Sequence, residues 1–102
     1  MECQINWTKR AWLTYEANLN YLEAEWTQKE ISNFIYLVEK KLAILSKNPR
    51  LGISRNKMHP DIRCTVVHKR VLLIYKYFPR KREIALLVFW NTYQNPKKLR
   101  LK

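Results

Sequence analysis

The sequence predicts an α+β domain: an N-terminal strand, then an antiparallel helical hairpin packed on a mainly antiparallel sheet of about four strands, in the order β-α-α-β-β-β. Three observations predict it. Residues 2–7 alternate polar and apolar side chains. Residues 9–46 carry apolar positions at spacings of three and four. Residues 62–91 hold three runs rich in β-branched and aromatic side chains, joined by basic links. Alternation buries one face of a strand, whereas a recurrence of three and four buries one stripe of a helix.

In the first strand Cys3, Ile5 and Trp7 point to one side, and Thr8 is placed to cap a helix beginning at residue 9. Trp12, Tyr15, Leu19, Leu22 and Trp26 form the apolar stripe of that helix, over about residues 9–25. Thr27-Gln28-Lys29-Glu30 reads as a capping box that starts a second helix. Its buried face is Ile31, Phe34, Ile35, Val38, Leu42 and Leu45, and it ends near Ser46 because Pro49 disfavours helical geometry at Asn48. With almost no loop between them, the two helices (about 9–46) fold back on each other. Residues 47–61 hold two of the four prolines and the only glycine, Gly52, and read as one irregular segment.

Ile62–Lys69 is a strand with partial alternation, and Arg70–Phe78 is nearly continuous in its apolar part. Pro79-Arg80-Lys81-Arg82 makes a basic turn, and Ile84–Trp90 is apolar throughout, which suits a central, covered strand. The meander (about 62–91) supplies the apolar surface that the helical stripes require. A basic tail, 92–102, closes the chain, and the 102 residues suit one domain, 1–102.

Charge is distributed unevenly. Residues 1–46 carry five Lys/Arg against six carboxylates, net −1; residues 47–102 carry fifteen against two, net +13, and together they give the overall +12. A fold with such a half attracts phosphates or an acidic protein, and the outer side of the sheet is expected to gather the cations. Met1-Glu2-Cys3-Gln4 has no basic leader or apolar segment behind it, and no run approaches the ~20 apolar residues of a membrane helix. The expectation is a cytoplasmic protein with no membrane partner. Cys3 and Cys64 have no metal or redox spacing and read as small apolar strand residues.

A single glycine excludes a phosphate-cradling glycine-rich loop, and the scarcity of carboxylates disfavours paired-carboxylate and two-metal chemistry. No cofactor or metal is expected. His59 and His68 read as solvated turn residues without a nucleophile partner. What remains is basic: Arg50, Arg55, Arg70, Lys76, Arg80, Lys81 and Arg82 are candidates for target or nucleic-acid binding, interleaved with Tyr75, Tyr77 and Tyr93. Tyr75 is also readable as a core residue of its strand. Lys57, Arg63, Lys69 and Tyr93 are candidates for metal-free RNA cleavage, in which cations stabilise a pentavalent phosphate and a lysine or tyrosine moves protons.

The order of several weak motifs resembles the RelE/ParE toxin superfamily of type II toxin–antitoxin systems. They are Trp7, Leu19…Tyr21-Leu22…Trp26, Phe34, Leu42 to Leu45, Asn48-Pro49-Arg50-Leu51-Gly52, Ile62-Arg63, Leu73-Ile74-Tyr75 and Asn91-Thr92-Tyr93-Gln94-Asn95-Pro96. The ending Gln94–Leu99 is more similar to the plasmid-stabilisation, ParE-like branch than to the nuclease branch. The resemblance implies a growth-inhibiting toxin, a cognate antitoxin that wraps it, and operator DNA reached through that antitoxin. The ParE-like branch implies inhibition of DNA gyrase by binding. The RelE-like branch implies ribosome-dependent cleavage of mRNA. Tyr93 stands where many relatives have arginine and no tyrosine comes after it, so that cleavage centre is incomplete here. A third reading is a basic nucleic-acid-binding module without toxicity.

Overall fold

Residues 2–25, 27–54, 57–68 and 71–92 are described by a computed structural model, with the backbone alone for 21–25. The elements are β1 (Gln4–Trp7), α1 (Lys9–Glu25), α2 (Gln28–Lys47), β2 (Ile53–Ser54), β3 (Ile62–His68), β4 (Val71–Phe78) and β5 (Glu83–Asn91). All five strands join one sheet in the order β1-β5-β4-β3-β2. β1 runs parallel to β5 and every other pairing is antiparallel. The expected elements are present, and the segment read as irregular adds a two-residue strand at the sheet edge. β5 lies inside the sheet between β1 and β4 and is covered on both faces, as expected, and β4 is the middle strand.

Local chemistry accounts for the helices. The Thr8 hydroxyl accepts from the Ala11 amide at 3.1 Å, and the Thr27 hydroxyl accepts from the Glu30 amide at 3.4 Å, so each helix begins on a capping threonine. α2 buries Ile31, Phe34, Val38 and Leu45, the stripe that its spacing predicts. α1 is turned from expectation. Tyr15 and Leu19 pack against the core as expected, but among the described side chains Ala11 and Asn18 are the fully buried ones, whereas Trp12 is 50% exposed and rests edge-on against Trp7, with ring centroids 5.3 Å apart. Trp26 and the Leu22 side chain lie outside the described residues.

The rotation of α1 follows from an unmet demand in the sheet. β1 covers β5 only as far as the Trp7–Leu86 pair, and beyond it the edge of β5 needs partners for its backbone groups. α1 supplies them through side chains. The Thr8 hydroxyl donates to the Leu86 carbonyl at 2.6 Å, and the Thr14 hydroxyl accepts from the Phe89 amide at 2.9 Å. The Asn18 amide donates to the Phe89 carbonyl at 3.1 Å, and the Asn91 amide donates to the Asn18 side-chain oxygen at 3.0 Å. Polar residues therefore occupy the inner face of this helix.

A bulge sets which side chains of β5 reach that face. Ile74 pairs with Val88 and Tyr75 with Leu86, which leaves Leu87 as the extra residue. The inward set changes from Ile84 and Leu86 to Phe89 and Asn91. The main core packs Ala11, Phe34, Val38 and Leu45 of the helices on Leu73, Tyr75, Ile84, Leu86 and Phe89 of the sheet. The opposite face buries Ile62, Cys64, Ile74 and Val88. The outer side is therefore apolar at its middle, because central strands present apolar side chains to both faces; Arg55, Lys69, Arg70 and the basic tail lie outside the described residues. A second bulge, between Val66 and His68, carries His68 inward. It is buried edge-on to Phe34, with centroids 5.8 Å apart, and is not the solvated turn residue expected; His59 is exposed.

Asn18→Ala removes the partner of the Phe89 carbonyl and of the Asn91 amide in a buried position. It is expected to lower stability by about 1–3 kcal/mol in urea unfolding. An unchanged midpoint would remove the side-chain edge cover as the reason for the helix rotation.

Candidate anion-binding site

The chain leaving α2 is fastened by two side chains from the sheet. Tyr75 is fully buried at the centre of β4, so its hydroxyl must find partners away from water. It donates to the Pro49 carbonyl at 2.9 Å and accepts from the Gly52 amide at 2.8 Å. Arg63 of β3 donates through Nη1 to the Gly52 carbonyl at 2.8 Å and to the Arg50 carbonyl at 3.3 Å. A Cβ on residue 52 would stand 2.7 Å from the Tyr75 hydroxyl oxygen, so this close approach requires glycine. Burial raises the Tyr75 phenol above the ordinary tyrosine value, opposed in part by the Gly52 hydrogen bond and the Arg63 guanidinium.

These contacts divide the cations into two kinds. Arg63 is half-buried and holds loop backbone, and its Nε is buried without a hydrogen-bond partner. Its guanidinium is therefore tied to the loop. Arg50, on the same loop, lies over the Tyr77 ring at 5.1 Å. Lys57, Arg80 and Lys81 are exposed. Lys57 lies in the connection from β2 to β3, and the 79–82 turn joins β4 to β5. The antiparallel register brings both connections to one end of the sheet.

At that end, Lys76 and Lys81 place their ammonium groups 5.1 and 5.9 Å from the Phe78 ring centroid. Arg82 adopts φ 53°, and its carbonyl accepts from the Gln4 amide at 2.9 Å, which ties the turn to the start of β1. Among the described residues the ion pair is Lys47 with Glu2 at 3.9 Å; Lys76, Arg80, Lys81 and Arg82 have none. Four cations thus lie at one end with no ion pair to a described carboxylate, an arrangement suited to a polyanion.

The structure therefore collects Lys57, Lys76, Arg80, Lys81 and Arg82 at one end, keeps Arg50 on the helix side of that end, and turns Arg63 inward. Arg55, Lys69, Arg70 and Tyr93 lie outside the described residues. Sequence reading passed over Phe78 and Asp61, which border the same turn, although Phe78 directly precedes the basic run Pro79–Arg82. Among the described residues, no group of three His, Cys, Asp or Glu is placed to hold a metal ion. The chemistry on offer is charge pairing, ring contact and hydrogen bonding.

A helical hairpin on one face of a mixed five-stranded sheet, with basic turns at one end, defines a class of small α+β folds. The particular likeness is to the E. coli toxin RelE, solved as a double arginine-to-alanine mutant in the free state. The two superpose with a TM-score of 0.61 at 14% identity, over 94% of this chain and 90% of that one. No family model matches the sequence, and no curated protein matches it. The fold implied by the sequence resemblance is the fold observed.

Tyr75→Phe removes both hydrogen bonds of the loop lock and strands a buried amide at Gly52. Its expected cost is about 1–3 kcal/mol in denaturant unfolding. The wild-type protein also has a predictable alkaline limit. The phenols of Tyr75 and Tyr15 are both raised, each chiefly by burial. Below about pH 10 both folded and unfolded states keep these protons and the contribution is full. Above it the unfolded phenols ionise first, so stability falls as pH rises. Tyr75→Phe should flatten that fall between about pH 9 and 11; an identical slope would show that Tyr75 is not the group responsible.

Proposed function

We propose that this protein is the toxin component of a type II toxin–antitoxin module. On this reading it stops growth by binding an essential target such as DNA gyrase, in the manner of the ParE-like branch, and a cognate antitoxin neutralises it. The observation that carries the reading is the division of the cations. Arg63, the candidate charge stabiliser for phosphate cleavage, is committed to the carbonyls of Arg50 and Gly52. Among the described residues, Lys76, Arg80, Lys81 and Arg82 make no ion pair at that end, which suits a binding surface. The fold of RelE supports the toxin class.

An acidic or amphipathic antitoxin segment complements the +13 half of the chain. Ile53 at the β2 edge and Val66 of β3 are 64% and 55% exposed, and offer such a segment apolar contacts beside the charge. Operator DNA would be reached through the antitoxin.

The likeness to RelE favours a second reading, a ribosome-dependent mRNA endonuclease without metal. Exposed Lys57 is available to it; Lys69 and Tyr93, its other candidates, lie outside the described residues.

Induced expression in bacteria without antitoxin is expected to arrest growth with filamentation. The purified protein is expected to inhibit supercoiling by gyrase and to leave ribosome-bound mRNA intact. Transcripts cut at ribosomal positions with gyrase unaffected would establish the endonuclease reading instead. Undisturbed growth would remove the toxin altogether and leave the basic nucleic-acid-binding module.

A further inference from the structure

The end of the sheet that collects the cations also contains a cleft. Asp61, Phe78, Pro79, Arg80 and Lys81 line a volume of about 430 Å³, within the ~300–1,000 Å³ span of small-ligand sites. Its walls differ in chemistry. Phe78 and Pro79 form an apolar side. Arg80 and Lys81 form a cationic side, with Lys76 against the same Phe78 ring. Asp61 is the one carboxylate among the lining residues. Glu83, the cross-strand partner of Phe78, is held by the Asn6 amide at 2.9 Å.

An acidic peptide suits the cations, but its carboxylate side chains offer neither a flat face to stack on Phe78 nor an amino group to donate to Asp61. A nucleotide suits all three walls. Its base lies flat on an aromatic or proline surface, its phosphates pair with Lys and Arg, and an exocyclic amino group donates to a carboxylate. In a duplex the base faces are covered by their neighbours, so the cleft requires an unpaired strand.

We propose that this cleft seats one nucleotide of a single-stranded nucleic acid. The base rests on Phe78 and Pro79, its amino group donates to Asp61, and Lys76, Arg80 and Lys81 hold the flanking phosphates. The two ammonium groups now beside the Phe78 ring sit on long flexible stems, and moving them to phosphates frees the ring for the base. This inference goes beyond the toxin reading and is tested without any cellular target, so the two stand or fall separately.

The test is fluorescence anisotropy of the full-length chain with labelled single strands of about ten nucleotides, as DNA and as RNA, cytosine-rich against thymine-rich. Lys81→Glu is expected to weaken binding about ten-fold at low salt. Phe78→Leu, chosen to keep an apolar side chain, is expected to weaken it about five- to ten-fold with an unchanged melting temperature. Asp61→Asn should reduce a preference for cytosine over thymine, since thymine has no exocyclic amino group to donate. Lys40→Glu makes the same charge change on exposed α2 and should alter affinity less than about two-fold.

Equal losses from Lys40→Glu and Lys81→Glu would overturn the proposal by showing attraction to net charge alone. Full affinity in folded Phe78→Leu would overturn it by removing the ring. Tighter binding of polyglutamate than of either oligonucleotide would assign the surface to a protein.

Discussion

The second half of this molecule depends on one buried phenol. Tyr75 cannot keep its hydroxyl in the core without partners, and the partners available are the Pro49 carbonyl and the Gly52 amide. Meeting that need draws the chain from the end of α2 down onto the sheet. β2 starts directly after Gly52, so two residues can pair at the edge without a long strand to hold them. The same loop carries Arg50 to the Tyr77 ring and presents two carbonyls to Arg63. Edge strand, inward arginine and glycine requirement are three results of one hydrogen-bonding demand.

The placement of charge follows from the same economy of burial. β4 and β5 have apolar neighbours on both faces, and a guanidinium or ammonium there would lose its hydration. Among the described residues, Lys57, Lys76, Arg80, Lys81 and Arg82 therefore lie at or near strand ends, where solvent returns. The turn after β4 and the connection before β3 lie at one end because the pairing is antiparallel. Arg63 is the exception. It enters the protein because carbonyls of the locked loop replace part of its water.

What the sequence disclosed and what it withheld separate along the same line. The stripe and cap of α2 depend on residues three and four apart, and both were legible. The face of α1 depends on the bare edge of β5, more than seventy residues away, so Trp12 reads as core while Asn18 takes the inner place. The bulge at Leu87 reverses the alternation of β5, and the bulge before His68 brings an imidazole inside; neither has a composition of its own. The charge asymmetry and the basic turn were plain in the sequence. The fate of Arg63 was not, since its partners are backbone carbonyls, to which residue types give no clue. Phe78 and Asp61 escaped notice because the link between them is a cleft and not a motif.

Arg82 carries a further consequence. A side chain at φ 53° costs about 1–2 kcal/mol against the same residue in an ordinary conformation, and glycine would relieve it. Glycine there would also delete one charge from the crowded turn. A variant selected for heat resistance would thus lose positive potential at this turn, and restoring that potential would bring the backbone tension back. At this position robustness and attraction are traded directly within a single residue.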